Sequence, residues 1–535
     1  MVSTTAPPAR PSKRGRVKSG RSIAPTFGLA AVVTLTVVVR LGYLLSSNDR
    51  FNGDEAVTGI MVDNILHGKN YAFFAGQNYG GTLEIYLQSL SYRILRLPQD
   101  PLTLRFTQLA LSGLTCALVY GIASRMLQLR WQALVAAACF AVGPYFNVQS
   151  GAMSMAFYTM SQFLGAAGLY CAIRLSHDRR HWQWTLGLGL ACGLAYWNSL
   201  ISAYLLLPTV LWLAPVLLRS WRAATGFCVS AVVGAIPMIP WILHSHHLIA
   251  GPTRFGSQST VAHRFHTLFG PVTREFLGFG IQGGRTQPGL ELLLIGSVAV
   301  LAAGYLRLFW TRRHGLAQLI RFRVLDRDAK DVLLIAPPIT VAIYISSGAA
   351  ALSLDPRYLV SLYPLLAVGV AAMLPRTPPI GSLLAGIVAV ALFAVPCARY
   401  FAHPSWQSDG LEGRALGAHA RNAELEQVTD FLMANDERVV GSGYWTGMPL
   451  QYLAGDRLTV GVLIGPDRFN QVKTVLRAAP KVSYVINRQA TSFDQVIVKK
   501  LAAHHVAYRS TIFGQFEVID QISGGGNPHE LGLTP

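Results

Sequence analysis

The chain has 535 residues, 52% of them hydrophobic and 13% charged, with a formal net charge of +19. Soluble proteins carry about 25% charged residues, so this composition excludes an ordinary soluble protein and places the chain in a bilayer. Beyond Phe401 there are 12 Lys and Arg against 13 Asp and Glu, so the positive excess belongs to the membrane part and its short loops, a topology signal that excludes nucleic acid as the partner.

A basic tail (Arg10, Lys13, Arg14, Arg16, Lys18, Arg21) precedes the first apolar run, and no small-residue cleavage site follows it, so the run reads as an uncleaved span. A crossing helix needs about 20 mostly apolar residues, and by that measure about eleven spans are predicted. They lie at Thr26 to Leu45, Leu102 to Ala123, Trp131 to Phe146, Met155 to Leu175, Thr185 to Asn198, Ile201 to Leu218, Ala223 to Leu243, Leu290 to Trp310, Val332 to Leu354, Tyr358 to Leu374 and Ile380 to Tyr400. Thr185 to Leu218 is one apolar block, broken only by Trp197-Asn198-Ser199 and Pro208. Apart from Arg105, near one end of its span, charge is expected to be almost absent from these segments. The cysteines all fall inside them without CxxC or Cys/His spacing, as core thiols do.

Lys and Arg favour the cytoplasmic side of short loops. Here they collect in alternate connections: the N-terminal tail, 125–130, 174–180, 219–222, 307–330 and Arg376. The N-terminus is therefore expected in the cytoplasm and, with an odd number of spans, everything after Phe401 outside. The fold class expected is a polytopic α-helical protein of the plasma (inner) membrane with a C-terminal extracytoplasmic α/β domain. Its parts are a cytoplasmic tail 1–25, a membrane domain 26–401 containing an outer loop 46–101, the α/β domain 402–522, and a loose end 523–535.

In the outer loop, Val57, Ile60, Met61 and Ile65 recur at helical spacing, as do Leu83, Leu87, Leu90, Ile94 and Leu97, which predicts two helices lying along the membrane surface. After His403 apolar runs shorten. Helices are predicted at Asn422 to Ala434, Phe469 to Ala478 and Phe493 to His504, and strands at Arg438 to Ser442, Val482 to Ile486 and Phe516 to Ile519. Tyr444-Trp445 reads as a loop pair packed on the membrane part.

No Walker A, HExxH, GxSxG or GxGxxG motif is present, so pumps and common hydrolases lack their parts. The chemistry-bearing residues left on the outer side are Asp54, Glu55, Asp63, His67, Lys69, Glu84, His244, His246, His247, His263, Arg264, His266, Arg274, Arg285 and Asp355-Pro356-Arg357-Tyr358. Burying an ionised group uncompensated costs several kcal/mol or more, so the Asp54-Glu55 pair, just past the first span, sits where membrane, water and substrate meet. Against this, an Asp at a helix start also serves as a cap, and a first-turn Glu answers the helix dipole. A carboxylate can accept a proton from a hydroxyl, and arginines hold phosphate oxygens in pairs. Nucleotide-activated donors are cytoplasmic, so an outward transferase needs a donor presented by the membrane, and a polyprenyl phosphate is both lipid and leaving group.

One span, a long outer loop opening with Gly53-Asp54-Glu55-Ala56 and containing Gly76-Gln77-Asn78-Tyr79-Gly80-Gly81-Thr82-Leu83-Glu84, a series of spans, Asp355-Pro356-Arg357-Tyr358-Leu359 before the tenth, and an outer α/β domain together resemble the GT-C glycosyltransferases. Within them the chain is similar to the protein O-mannosyltransferases and bacterial aminoarabinose transferases. The resemblance implies inverting sugar transfer from a polyprenyl-phosphate donor to a glycan, lipid or protein hydroxyl, with Asp54 as base. Glu55 is the second catalytic candidate, and Arg357, Tyr358, Glu84, Lys69, Arg264 and Arg285 are the substrate-binding candidates. Some relatives bind a divalent metal, which Glu84 with His247 would hold here; no other cofactor is expected. The chain departs from the pattern in having Gly80-Gly81-Thr82 where relatives carry Lys-Pro-Pro, and an acid-free 147–154 segment. The competing class is a transporter or flippase for a lipid-linked glycan precursor, which would place ionisable residues and broken helices at mid-membrane.

Overall fold

The computed structural model describes residues 24–46, 51–77, 80–127, 129–177, 182–245, 259–281, 284–321, 328–347, 356–375, 379–403, 418–469, 471–479, 481–489, 495–522 and 526–533. The first span is α1 (Ala24–Ser46), and the first long loop carries α2 (Gly53–Leu66) and α3 (Leu83–Leu95). The bundle continues with α4 (Phe106–Met126), α5 (Arg130–Val142), the short α6 (Tyr145–Ser150), α7 (Tyr158–His177), α8 (Trp182–Asn198), α9 (Ala203–Leu217), α10 (Trp221–Ala235) and α11 (Ile239–Ser245). A second long loop holds α12 (Val261–Thr267), α13 (Thr273–Phe276) and the hairpin β1 (Gly280–Ile281) and β2 (Arg285–Thr286), before α14 (Glu291–Ile320), α15 (Asp331–Ser346), α16 (Tyr363–Met373) and α17 (Pro379–Ala402).

A helix stands at each expected span. Among the described residues, 6 helices are long and apolar enough to cross a membrane, and Arg130–Val142, Asp331–Ser346 and Arg357–Met373 are shorter apolar helices. The third expected span is broken, because Gly143-Pro144 ends α5 and α6 starts behind it. The Thr185 to Leu218 block divides at Ser199, whose backbone bridges to Gly80 of the first loop. The eighth span runs on as helix to Ile320, into the predicted basic loop.

The expectation that the spans hold almost no charge fails at Arg40. It is fully buried in α1 and donates to the carbonyls of Ala141 at 3.1 Å and Asn147 at 3.4 Å, with its guanidinium 5.4 Å from the Phe140 ring. The Ala141 carbonyl lies at the end of α5, where helix ends leave acceptors without intrahelical partners, and the Asn147 carbonyl, in α6, also accepts from the Gly151 amide. Arg40 therefore seals a discontinuity rather than lining a path.

The tail domain comprises α18 (Ala418–Ala434), β3 (Val439–Gly443), α19 (Tyr444–Ala454), β4 (Thr459–Ile464), α20 (Gln471–Ala478), β5 (Ser483–Asn487), α21 (Gln495–Ala503), β6 (Arg509–Phe513) and β7 (Phe516–Asp520). The 5-stranded sheet runs β4-β3-β5-β7-β6, with β3 parallel to β4 and β5, and β7 antiparallel to β5 and β6. Leu425, Val428, Leu432 and Leu450 cover one face and Leu476, Ile497 and Leu501 the other. Every predicted element is present. α19, β4 and β6 are additional, and the Tyr444-Trp445 pair opens a helix rather than sitting in a loop.

α2 does not lie along the bilayer surface as its spacing suggests. Gly53, Ala56, Val57, Gly59 and Met61 are buried, because α2 is sandwiched between the bundle and α19. The approach is close: a Cβ on Gly59 would come within 2.3 Å of the Tyr452 ring, and one on Gly53 within 2.8 Å of the Tyr444 ring. On α3, Leu90, Ile94 and Leu95 are exposed. Gly59→Leu is expected to push the tail domain off α2 at a cost of about 1–3 kcal/mol, measured as faster tryptic release of the tail domain and a lower Tm; unchanged proteolysis would refute the docking.

Candidate active site

Asn52 has extended backbone and accepts a hydrogen bond from the Glu55 amide at 3.0 Å, so it is the cap of α2. Asp54 is thereby released from the capping role that its position suggested. Consecutive helical residues point about 100° apart, and the two carboxylates go to opposite surroundings.

Glu55 is fully buried. Arg105 donates Nε to its Oε1 at 2.8 Å and Nη2 to its Oε2 at 2.7 Å, and the Ser154 amide donates to Oε1 at 2.8 Å. This geometry seats Glu55 beneath the site as a tether between the first loop, the head of α4 and the loop after α6. The expectation of a second catalytic carboxylate meets a side chain with 0% exposure whose two oxygens both accept from protein donors.

Asp54 turns toward the tail domain with a side chain 27% exposed. The Tyr444 hydroxyl donates a short hydrogen bond to its Oδ1, and Arg468 Nη2 lies 3.4 Å from the same oxygen. Burial and the adjacent Asp54 carboxylate push the Tyr444 phenol well above its usual range, with Arg468 opposing, so Tyr444 stays a proton donor in this bond. Sequence reasoning noticed Tyr444 but gave it a packing role, and it missed Arg468; their distance in the chain from Asp54 left no local signal.

Glu84 sits at the start of α3, buried, accepting from Gln108 Nε2 at 2.8 Å and from the Met160 amide at 2.9 Å. Burial pushes its carboxyl up to about 7, offset in part by the Met160 and Gln108 bonds. Gln88 and Gln108 both donate to Ser154 Oγ, at 2.7 and 3.3 Å, which links the Glu84 and Glu55 sites into one network. Both oxygens of Glu84 thus accept from protein donors. As a metal ligand it fits poorly for the same reason, and its suggested partner His247 lies outside the described residues. Among the described residues no three of His, Cys, Asp and Glu cluster for a metal, and the cation facing Asp54 is a guanidinium.

The remaining candidates are spread out. Lys69 is exposed and bonded to Asn64 at 2.7 Å. Arg264 donates to the Ile345 carbonyl at 2.7 Å and to Ser259, closing the end of α15. Arg285 is exposed on β2. Arg357 and Tyr358 are half-buried where a 3₁₀ turn, Arg357–Leu362, leads into α16. That turn also contributes Leu359 and Leu362 to a cavity of about 760 Å³ between α14, α15 and α16, walled by Leu308, Leu333, Pro337 and Leu366, with Arg307 and Lys330 also lining it. Asp355 and His246 lie outside the described residues.

Residues 83–244 match the family model of dolichyl-phosphate-mannose-protein mannosyltransferases. The structure is similar to that of ArnT from Cupriavidus metallidurans bound to undecaprenyl phosphate, at a TM-score of 0.57 and 12% identity over 96% of this chain and 100% of that one. It is also similar to the oligosaccharyltransferase of Archaeoglobus fulgidus in complex with Zn and sulfate, at 0.51 and 12% over 90% and 71%. Among curated proteins none matches by sequence. The chain has the GT-C membrane fold.

Two outcomes test the network. Arg105→Leu strands a buried carboxylate and is expected to cost about 3–5 kcal/mol, whereas Arg105→Leu with Glu55→Leu recovers part of that loss; equal melting of the single variant and the parent would contradict the pair. Because the folded value of Glu84 lies above its ordinary 4.5, the stability it contributes is complete below about pH 4.5 and lost as pH rises through about 7. Glu84→Gln should flatten that part of the Tm profile, and an unaltered slope would show that the group titrates elsewhere.

Proposed function

We propose that the chain is a glycosyltransferase that moves a sugar from a polyprenyl-phosphate carrier onto a hydroxyl at the extracytoplasmic face of the plasma (inner) membrane. The observation that carries this reading is a partly exposed carboxylate, Asp54, at the seam between a GT-C bundle and its soluble domain, with cationic and phenolic groups converging on it. Asp54 takes the proton of the acceptor hydroxyl, whose oxygen bonds to the anomeric carbon on the face opposite the carrier. The bond from that carbon to the carrier's phosphate oxygen breaks, so the configuration inverts and the phosphate leaves as the anion. A positioned base contributes roughly 10²- to 10⁴-fold.

The leaving phosphate needs positive charge more than a proton. Arg357, with Tyr358 beside it, is assigned that role, because its turn also lines the apolar cavity between α14 and α16. An isoprenoid chain is matched to such a cavity by its apolar surface. The ArnT structure was solved with undecaprenyl phosphate, which supports a carrier of this class here. The acceptor class, glycan, lipid or protein, is open on this reading.

Asp54→Asn in purified, detergent-solubilised protein is expected to lower sugar transfer by about 10²- to 10⁴-fold with an unchanged Tm. Undiminished transfer would remove Asp54 from the chemistry, and an activity requiring sealed vesicles would favour a flippase, since transfer needs no second compartment. Sidedness is tested with a membrane-impermeant thiol reagent on Ser510→Cys in a Cys228→Ala background; both positions are exposed. Labelling in intact spheroplasts is expected, and protection there would reverse the topology.

A further inference from the structure

The soluble domain reaches Asp54 through two groups far apart in its own sequence. Tyr444 opens α19, and Arg468 follows β4 after Gly465, a residue with φ +103 whose Cβ would come 2.8 Å from that of Tyr444. The turn that presents Arg468 is therefore folded against Tyr444. A second glycine clears the way from the other side: Gly76, with φ +67, would bring a Cβ to 3.1 Å from the Arg468 Cα. Backbone on both sides holds Arg468 where it stands.

Its side chain is 7% exposed, with the guanidinium 5.5 Å from the Phe74 ring and 5.4 Å from the Tyr444 ring, and its Nε 3.4 Å from the Tyr444 hydroxyl. Aromatic faces attract such a cation and offset part of its loss of water. A planar cation enclosed in this way has little rotational freedom, and both it and the phenol address the Oδ1 of Asp54.

We infer that Arg468 and Tyr444 are positioning residues for Asp54, and that Arg468 is the counter-cation of this carboxylate, filling the place a divalent metal would otherwise take. The inference rests on the reading of Asp54 as base. Fixing Oδ1 leaves Oδ2 to receive the acceptor's proton. When donor and acceptor enter, the guanidinium and the phenolic hydroxyl keep Oδ1 fixed, so the carboxylate meets the hydroxyl without having to reorient. The soluble domain is thereby part of the active site.

The test uses the full chain in detergent with undecaprenyl-phosphate-linked hexose and pentose donors in separate reactions, reading sugar release and donor KM. Arg468→Ala and Tyr444→Phe should lower kcat by about 10²-fold and about 10-fold respectively, with KM changed less than about threefold. Methylguanidinium should restore part of the rate of Arg468→Ala and raise its Tm, a substrate-free readout. EDTA should leave the parent unaffected. Arg457→Gln, which removes an exposed guanidinium from the same domain, should behave as the parent. If Arg468→Ala destabilises the fold, Arg468→Lys replaces it and should still lose rate, since an ammonium lacks the planar fork. Parent-like kcat in Arg468→Ala or Arg468→Lys, no methylguanidinium effect on either rate or Tm, or loss of parent activity in EDTA would overturn the inference. Activity surviving in Asp54→Asn would instead sink the function proposed above.

Discussion

The structure depends on one buried ion pair, Glu55 with Arg105. Two charges withdrawn from water stabilise a fold only when geometry is good and the remaining lone pairs are filled. Here both carboxylate oxygens accept from the guanidinium, and one also accepts the Ser154 amide. The first loop, the head of α4 and the segment after α6 must therefore arrive together or leave a charge exposed to an apolar interior. The consequence for Asp54 is geometric. With its neighbour locked inward and Asn52 capping the helix, the helical turn leaves Asp54 pointing out of the bundle toward the soluble domain. The acidic dipeptide divides into a buried anchor and a partly exposed carboxylate that faces the soluble domain.

The same division recurs along the loop. Glu84 turns inward to Gln108 and the Met160 amide, and Ser154 Oγ joins the two carboxylate sites through Gln88 and Gln108. The acid-free 147–154 segment contributes through its backbone and a hydroxyl, which is why the lack of a carboxylate there leaves no gap. Gly81 completes the seam: its amide donates to the Asn198 carbonyl at 2.7 Å, and any Cβ would collide with the Trp197 carbonyl at 1.7 Å. Where the resemblance led one to expect Lys-Pro-Pro, this chain instead runs its backbone directly onto the end of α8.

Much of this was legible in the sequence because it is local. Apolar length marks a span wherever it occurs, and the helices stand where hydropathy put them; short buried strands such as β5 show as apolar runs for the same reason. Arg40 escaped because one charge hardly alters the mean of twenty apolar residues, although its partners at the α5 to α6 break follow from Gly143-Pro144. α19 escaped because Gly447 and Pro449 lower helical propensity, and its stability comes from packing on α2. The pairing of Asp54 with Tyr444 and Arg468, separations of 390 and 414 residues, carries no periodic trace at all. Loop position alone did not indicate where the arginines stand: Arg264 closes the end of α15, and Arg285 faces solvent.

The seam also decides how the two reactants must approach. Among the described residues the α2 helix is covered by the bundle on one side and α19 on the other, and Asp54, 27% exposed, lies where the first loop meets the soluble domain. The apolar cavity opens elsewhere in the bundle, among α14, α15 and α16, and its link to the soluble-domain side is the turn that begins at Arg357. A lipid-borne donor lying in that cavity would present its headgroup from the membrane, whereas a hydroxyl acceptor would enter along the seam. The inverting transfer proposed above requires opposite approaches to a single carbon, and an arrangement in which one reactant comes from lipid and the other from water would provide them without moving the carboxylate. On the reading proposed above, rigidity at Asp54 is then an advantage, and the structure supplies it through the buried Glu55–Arg105 pair below and the caged Arg468 guanidinium above.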